Sequence, residues 1–161
     1  MQVRDALSES KIRFDEPISS LLSQKGRTVW SISPEATVYE AIERMSENNI
    51  GALVVLNSKE KLVGIISERD YALKVILKGR QSREIRVHEI MSMPVFYVAP
   101  ETTIDESMRV MASRLVRHLP VLEEERVVGM ISMGDLVKWI ISSHEQTIHQ
   151  LENYIGGTYP A

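Results

Sequence analysis

The chain repeats itself, and this limits the folds open to it more than any other feature. Ser33-Pro34-Glu35-Ala36-Thr37-Val38 aligns with Ala99-Pro100-Glu101-Thr102-Thr103-Ile104 at an offset of 66 residues, and Leu53-Val54-Val55-Leu56 aligns with Leu119-Pro120-Val121-Leu122 at the same offset. Past the next turn the offset is 65, where Val63-Gly64-Ile65-Ile66-Ser67-Glu68-Arg69-Asp70 matches Val128-Gly129-Met130-Ile131-Ser132-Met133-Gly134-Asp135. The slip falls between Asn57 to Lys61 and Glu123 to Arg126. Both stretches are polar and read as hairpin loops, which tolerate length changes. Proline, glycine, serine and aspartate recur in fixed order, which chance similarity among apolar strands does not supply.

Each copy predicts the order β-α-β-β-α. Val29 to Ile32 and Val95 to Val98 read as short strands. Thr37 with Glu40, and Thr103 with Glu106, have the spacing of capping boxes. The helices that follow place Val38, Ala41, Ile42 and Met45 on one face, and Ile104, Met108, Met111 and Leu115 on the other copy's equivalent. Two strands then form a hairpin, Ala52 to Leu56 with Leu62 to Ile66, and Leu119 to Leu122 with Val127 to Ile131. A second helix is expected from Ser67 to about Leu77, stopped by Gly79, and from Ser132 to about Ser142.

Outside the copies, Pro17 to Leu22 before Gly26 predicts a short capped helix, and Ile85 to Met91 a helical turn. Ile148, Leu151 and Ile155 form one stripe of an amphipathic tail helix, which could continue the helix before it. The eight methionines, among them Met45, Met108 and Met111, sit mainly at apolar positions and read as core. The expected division is an N-terminal segment with a short helix over 1–24, a first repeat over 25–80, a connector over 81–93, a second repeat over 94–142, and a helical tail over 143–161. Residues 1–16 carry no periodic pattern. A unit of about 50 residues has a marginal core. Two units packed about a pseudo-two-fold axis cover each other, and the packing creates two equivalent clefts. The fold class expected is therefore α/β (α+β).

At 43% hydrophobic and 25% charged, the composition is that of a globular domain. A net charge of -3 does not favour a nucleic-acid partner, whose phosphates require a basic face. No cysteine is present, which excludes disulfides, thiolate metal sites and cysteine nucleophiles. Met1 to Phe14 has no apolar signal core, and no apolar run approaches the roughly 20 residues of a membrane span. A cytoplasmic protein without membrane contact is expected.

The two Gly-hydrophobic-hydrophobic-Ser-x-x-Asp segments, Gly64 to Asp70 and Gly129 to Asp135, resemble the signature of cystathionine-β-synthase (CBS) domain pairs, also called Bateman modules. Arg117-His118-Leu119-Pro120-Val121 and the paired Pro-Glu-x-Thr openings add to the resemblance, which covers about residues 25–142. The whole chain is similar to small stand-alone bacterial members. The resemblance implies a tandem CBS-domain pair that binds adenosine-containing ligands such as AMP, ATP, NAD(H) or S-adenosylmethionine. It also implies a homodimer formed through helices.

The residues suit such a ligand. Ser67 and Ser132 sit where a helix N-terminus follows a strand, a place that favours phosphate. Asp70 and Asp135, in the first turns, can take the ribose hydroxyls, or can be helix caps without a ligand. By the resemblance, Ile50, Gly51 and Ala52 supply an adenine slot for the site using Asp135, and Val116, Arg117 and His118 for the site using Asp70. Small Gly51 and Ala52 should make the first slot roomy, so the two sites should differ in preference. Trp30 and Phe96 occupy matching places and either line these pockets or pack in the core. Arg117 is the best phosphate anchor because guanidinium grips phosphate as a fork; the alternative is a surface pair with Glu123 to Glu125. Arg69 could reach phosphate, and Gly134 at the matching place removes charge but lets backbone approach. Lys25 and Arg27 are weaker candidates. His118 titrates near neutrality, or is simply a partly buried polar residue.

No catalytic constellation, Walker loop or dinucleotide fingerprint is present. His144 and His149 are five residues apart and do not share a helix face as metal ligands would; both read as solvated. The expectation is a non-enzymatic regulatory module without catalytic cofactor or metal, possessing two adenine-nucleotide clefts and a dimer that responds to them. The alternative is a ligand-free scaffold regulating a partner protein.

Overall fold

The computed structural model describes residues 14–155; in its last helix, from residue 144 onward, it describes the side chains at 145, 149, 152 and 153. In chain order the elements are α1 (Ile18–Lys25), β1 (Ser31–Ile32), α2 (Val38–Asn48), β2 (Ala52–Leu56), β3 (Leu62–Ser67), α3 (Glu68–Tyr71), a π-helical stretch (Ala72–Ile76), α4 (Val87–Ile90), α5 (Ile104–Arg114), β4 (His118–Glu123), β5 (Arg126–Ser132) and α6 (Met133–Ile155). The first copy has the β-α-β-β-α order that the repeat predicts, and the second keeps its α-β-β-α part.

Short-range chemistry explains most boundaries. Thr37 and Thr103 cap α2 and α5, each accepting the N–H three residues on while that residue's glutamate accepts the threonine N–H. The Thr37 N–H also holds the Glu40 carboxyl below its usual range. The hairpins β2–β3 and β4–β5 are antiparallel and carry a register irregularity at equivalent places, between Val55 and Leu56 and between Val121 and Leu122.

Several expectations change. The strand expected at Val95 to Val98 contracts to one parallel bridge, Val98 to Val121. In the first repeat the Val54 N–H donates to the Trp30 carbonyl at 3.2 Å. The equivalent donor in the second repeat would be Pro120, which has no N–H, so the ladder cannot extend toward Phe96. The sheets are therefore three-stranded, β1-β2-β3, and two-stranded, β4-β5. Leu115, expected on the buried face of α5, is 86% exposed. The helix ends at Arg114, and Leu115 turns into the left-handed region at φ 55. The helix expected from Ser67 to Leu77 passes from α to π after Tyr71. Its counterpart does not stop near Ser142 but runs on to Ile155 as one helix. The Ile148, Leu151 and Ile155 stripe lies outside the described side chains.

Each repeat has its own core, and each core is completed by the helix that precedes the other repeat. Ile18, Leu21 and Leu22 of α1 are buried with Val98, Ile104, Met111, Leu119, Val121, Ile131 and Leu136 of the second repeat. Ile85, Val87 and Ile90 are buried with Ile32, Val38, Met45, Leu53 and Ile66 of the first. Backbone bonds mirror the exchange: the Ile104 N–H donates to Glu16 O, and the Val38 N–H to Ile85 O, each at 2.9 Å. Burying one such aliphatic side chain contributes about 1.5–3 kcal/mol, so these crossings tie the repeats into one body. Gly64 and Gly129 allow the close approach. A Cβ on Gly129 would lie 2.8 Å from Leu22 Cδ2, and one on Gly64 would strike the Met91 side chain.

Candidate functional site

The open cleft between the repeats has a volume of about 390 Å³, within the roughly 300–1,000 Å³ usual for small-molecule sites. The first repeat contributes Trp30, Asn49, Ile50, Gly51 and Ala52 from the ends of β1 and β2; the second contributes His118, Met130, Ser132, Gly134, Asp135 and Lys138 from β4, β5 and the start of α6. Lys25, Gly26 and Thr28 close one side. The pairing of Ile50, Gly51 and Ala52 with Asp135, implied by the family resemblance, is thus brought together in space. Trp30 is 41% exposed and lines the cleft rather than the core.

Asp135 is held by its own helix start. Its Oδ2 accepts the Ser132 N–H at 2.8 Å, and its N–H donates to Ser132 Oγ at 3.1 Å. Lys25, at the end of α1, donates to the same Oδ2 and to the Met130 carbonyl, both at 2.6 Å. Gly134 is exposed, and a Cβ there would meet only Ser132 Oγ at 3.6 Å, so nothing crowds this edge.

His118 enters the Asp135 cleft, although the family resemblance implied a place at the Asp70 site. Its ring lies 3.4 Å from where a Cβ on Gly51 would stand, ordinary contact distance, so an imidazole of the second repeat borders the Gly51 edge. Burial pushes its pKa below the usual imidazole value; Lys25 and Arg117 push the same way and Asp135 opposes them.

Asp70 is placed differently. It is 7% exposed. Its Oδ2 accepts the Ser67 N–H at 2.9 Å and the Ser67 hydroxyl at 3.1 Å. Its Oδ1 accepts from Ser92 at 2.9 Å and pairs with Lys74 Nζ at 2.9 Å. Among the described residues, its two oxygens are engaged by Ser67, Ser92 and Lys74. Val116 and Phe96 pack against the second core, and Arg114 lies 4.8 Å over the Phe96 ring. Arg117 and Arg69 are exposed; the Arg117 carbonyl accepts the Met133 N–H at 2.8 Å.

Lys138 and Asn49 were missed by reading the sequence. Lys138 lies three residues after Asp135 on one helix, a spacing that could have flagged it. Asn49 is a left-handed helix cap, φ 51, and asparagine after a helical pattern is a usable signal for that. Among the described residues, no group of three or more His, Cys, Asp or Glu side chains could hold a metal ion, and no helix is long and apolar enough to cross a membrane. His149 is exposed, and the His144 side chain lies outside the described set.

Comparison with known proteins gives consistent matches. The family model described as CBS domain matches twice, at residues 26–76 and 87–142. CBS domain-containing protein CBSX3, mitochondrial, of Arabidopsis thaliana is 36% identical over 151 residues, covering 88% of this chain and 73% of that protein. The solved structure of a signal-transduction protein with CBS domains from Burkholderia ambifaria MC40-6 matches at 42% identity and a TM-score of 0.75, covering 79% of this chain and 95% of its own. The CBS-domain containing protein ATU1752 of Agrobacterium tumefaciens matches at 33% identity and a TM-score of 0.74, over 79% of this chain and 95% of its own. CBS-domain pairs are regulatory and signalling modules, generally not catalysts. With both repeats matched by the family model and the fold shared with solved CBS pairs, this chain belongs to the CBS-domain family as a tandem pair.

Proposed function

We propose that this protein is an adenine-nucleotide sensor, binding AMP, ATP or NAD(H) in the cleft between its repeats and passing the event to a homodimer. The observation that carries the reading is the convergence in one cleft of an aromatic and apolar wall (Trp30, Ile50, Ala52), a carboxylate (Asp135) and two ammonium groups (Lys25, Lys138). The flat apolar wall suits adenine, the carboxylate suits a ribose diol, and the ammonium groups with the start of α6 suit phosphate.

The dimer has its own support. Leu73, Ile76 and Leu77 after α3, and Val137 and Ile141 on α6, are large apolar side chains left exposed. Paired helices of two chains would cover them. A ligand bound between the repeats shifts such a dimer only by binding one arrangement more tightly than the other.

A ligand-free scaffold is the second reading, favoured by one observation. Asp70 has its oxygens engaged within the chain, as a purely structural cap would. Calorimetry with AMP and NAD(H) on the native chain and on Asp135→Ala separates the two. Hydrogen bonds to a charged group contribute about 1.5–3 kcal/mol each, so the variant should bind at least about tenfold more weakly. Equal affinity in the two proteins removes Asp135 from the site. Absence of any thermal shift with AMP, ADP, ATP, NAD(H) or S-adenosylmethionine favours the scaffold; a ligand at 100 times its Kd should stabilise by about 2.7 kcal/mol.

A further inference from the structure

We infer that Lys25 is a specificity residue that makes the cleft choose phosphate-bearing adenine ligands over adenosine and over the cationic S-adenosylmethionine. This rests on the nucleotide reading above and adds to it what the cleft selects.

Lys25 occupies the group a ribose would use. A carboxylate oxygen offers two lone-pair directions. On Asp135, Oδ2 already takes the Ser132 N–H at 2.8 Å and Lys25 Nζ at 2.6 Å. Oδ1 accepts no hydrogen bond among the described residues. A diol that engages both oxygens must therefore move the lysine off Oδ2.

The lysine cannot go far. Its backbone ends α1, whose Ile18, Leu21 and Leu22 are buried in the second core, while its side chain is 37% exposed. Displaced, the ammonium stays beside Lys138 in a cleft where Asp135 is the one acidic side chain among the described lining residues. Adenosine would leave that cation without its anionic partner, holding the Met130 carbonyl alone, and a cationic ligand would add a like charge. A phosphate replaces the lost partner with another anion. The ion pair thus acts as a latch that a nucleotide opens at little net cost and a nucleoside opens at the cost of a charged hydrogen bond.

The test is calorimetric titration of the full chain with AMP, adenosine and S-adenosylmethionine, for the native protein, Lys25→Met and Lys138→Met, with circular dichroism confirming the fold of each. The native protein should prefer AMP to adenosine by at least about tenfold, and Lys25→Met should bring the two within about threefold. The signature is opposite movement: AMP weakens and adenosine tightens in Lys25→Met. In Lys138→Met only AMP should weaken, because that lysine does not hold Asp135. Adenosine binding that is unchanged or weaker in Lys25→Met overturns the latch, as does equal native affinity for AMP and adenosine; both leave the nucleotide reading standing. A native protein that binds none of the three overturns the nucleotide reading, and the latch with it.

Discussion

Lys74 Nζ lies 2.9 Å from Asp70 Oδ1, one helical turn along the same segment, whereas the residue one turn after Asp135 is Trp139. The two aspartates also differ in the partners that reach them from outside their own helices. Asp70 is closed in by Lys74 from its own helix and by Ser92 from the connector. Asp135 is reached instead by Lys25 from α1, across an open cleft.

The first expectation is one nucleotide per chain. Asp70→Asn should leave AMP affinity within about twofold, while Asp135→Asn should lower it at least about tenfold. Calorimetric stoichiometry reads this directly. Two equivalent sites per chain, or a large loss in Asp70→Asn, would show that the buried aspartate opens to ligand.

Gly129→Ala should destabilise the protein by about 1–3 kcal/mol, because the new methyl would overlap the Leu22 side chain. Shortening Leu22 as well should recover part of the loss, so the double variant should cost less than the sum of the two single ones. Urea unfolding measures the cycle. Strict additivity would mean that α1 does not press on β5 at this point.

Leu115→Gly should stabilise by about 1 kcal/mol. Leu115 holds φ 55 and is 86% exposed, so its side chain gives up little packing while its backbone carries the left-handed strain. The midpoint of chemical unfolding should rise. A fall would show that the leucine is covered in solution, as by a second chain.

His118 predicts a pH dependence. Its pKa is lowered in the fold, first by burial and then by Lys25 and Arg117, against the opposing pull of Asp135; the Glu68 carboxylate also reaches the Gly51 edge where the ring sits. A histidine with a depressed folded pKa binds its proton more readily when unfolded. Stability should hold above about pH 6.5 and fall as the pH drops through and below that value. Replacing His118 by glutamine should flatten the profile between about pH 7 and 5. An unchanged slope would assign the acid sensitivity elsewhere.

Much of the molecule was legible before any coordinates. Capping boxes at Thr37 and Thr103, hairpins around Asn57 and Glu124, and the apolar face of α2 depend on residues within a few positions of each other, and spacing reports them. The family resemblance further implied that Gly51 and Asp135 would meet. The misses follow from longer range. Pro120 shortens the second sheet because its missing N–H matters only once its partner is known, and Leu115 is exposed because the helix turns left-handed one residue earlier than the apolar pattern suggested.

The duplication and the local start and stop signals were determined by sequence alone, since backbone hydrogen bonding and side-chain period are short-range. Only the tertiary structure decided which aspartate faces a cleft. That choice depends on α1 crossing into the second core and delivering Lys25 to a residue 110 positions away, on Lys74 and Ser92 engaging Asp70, and on His118 packing at the Gly51 edge of the other repeat. Such contacts are set by which surfaces exclude water together, a property of the assembled chain that no short window of it contains.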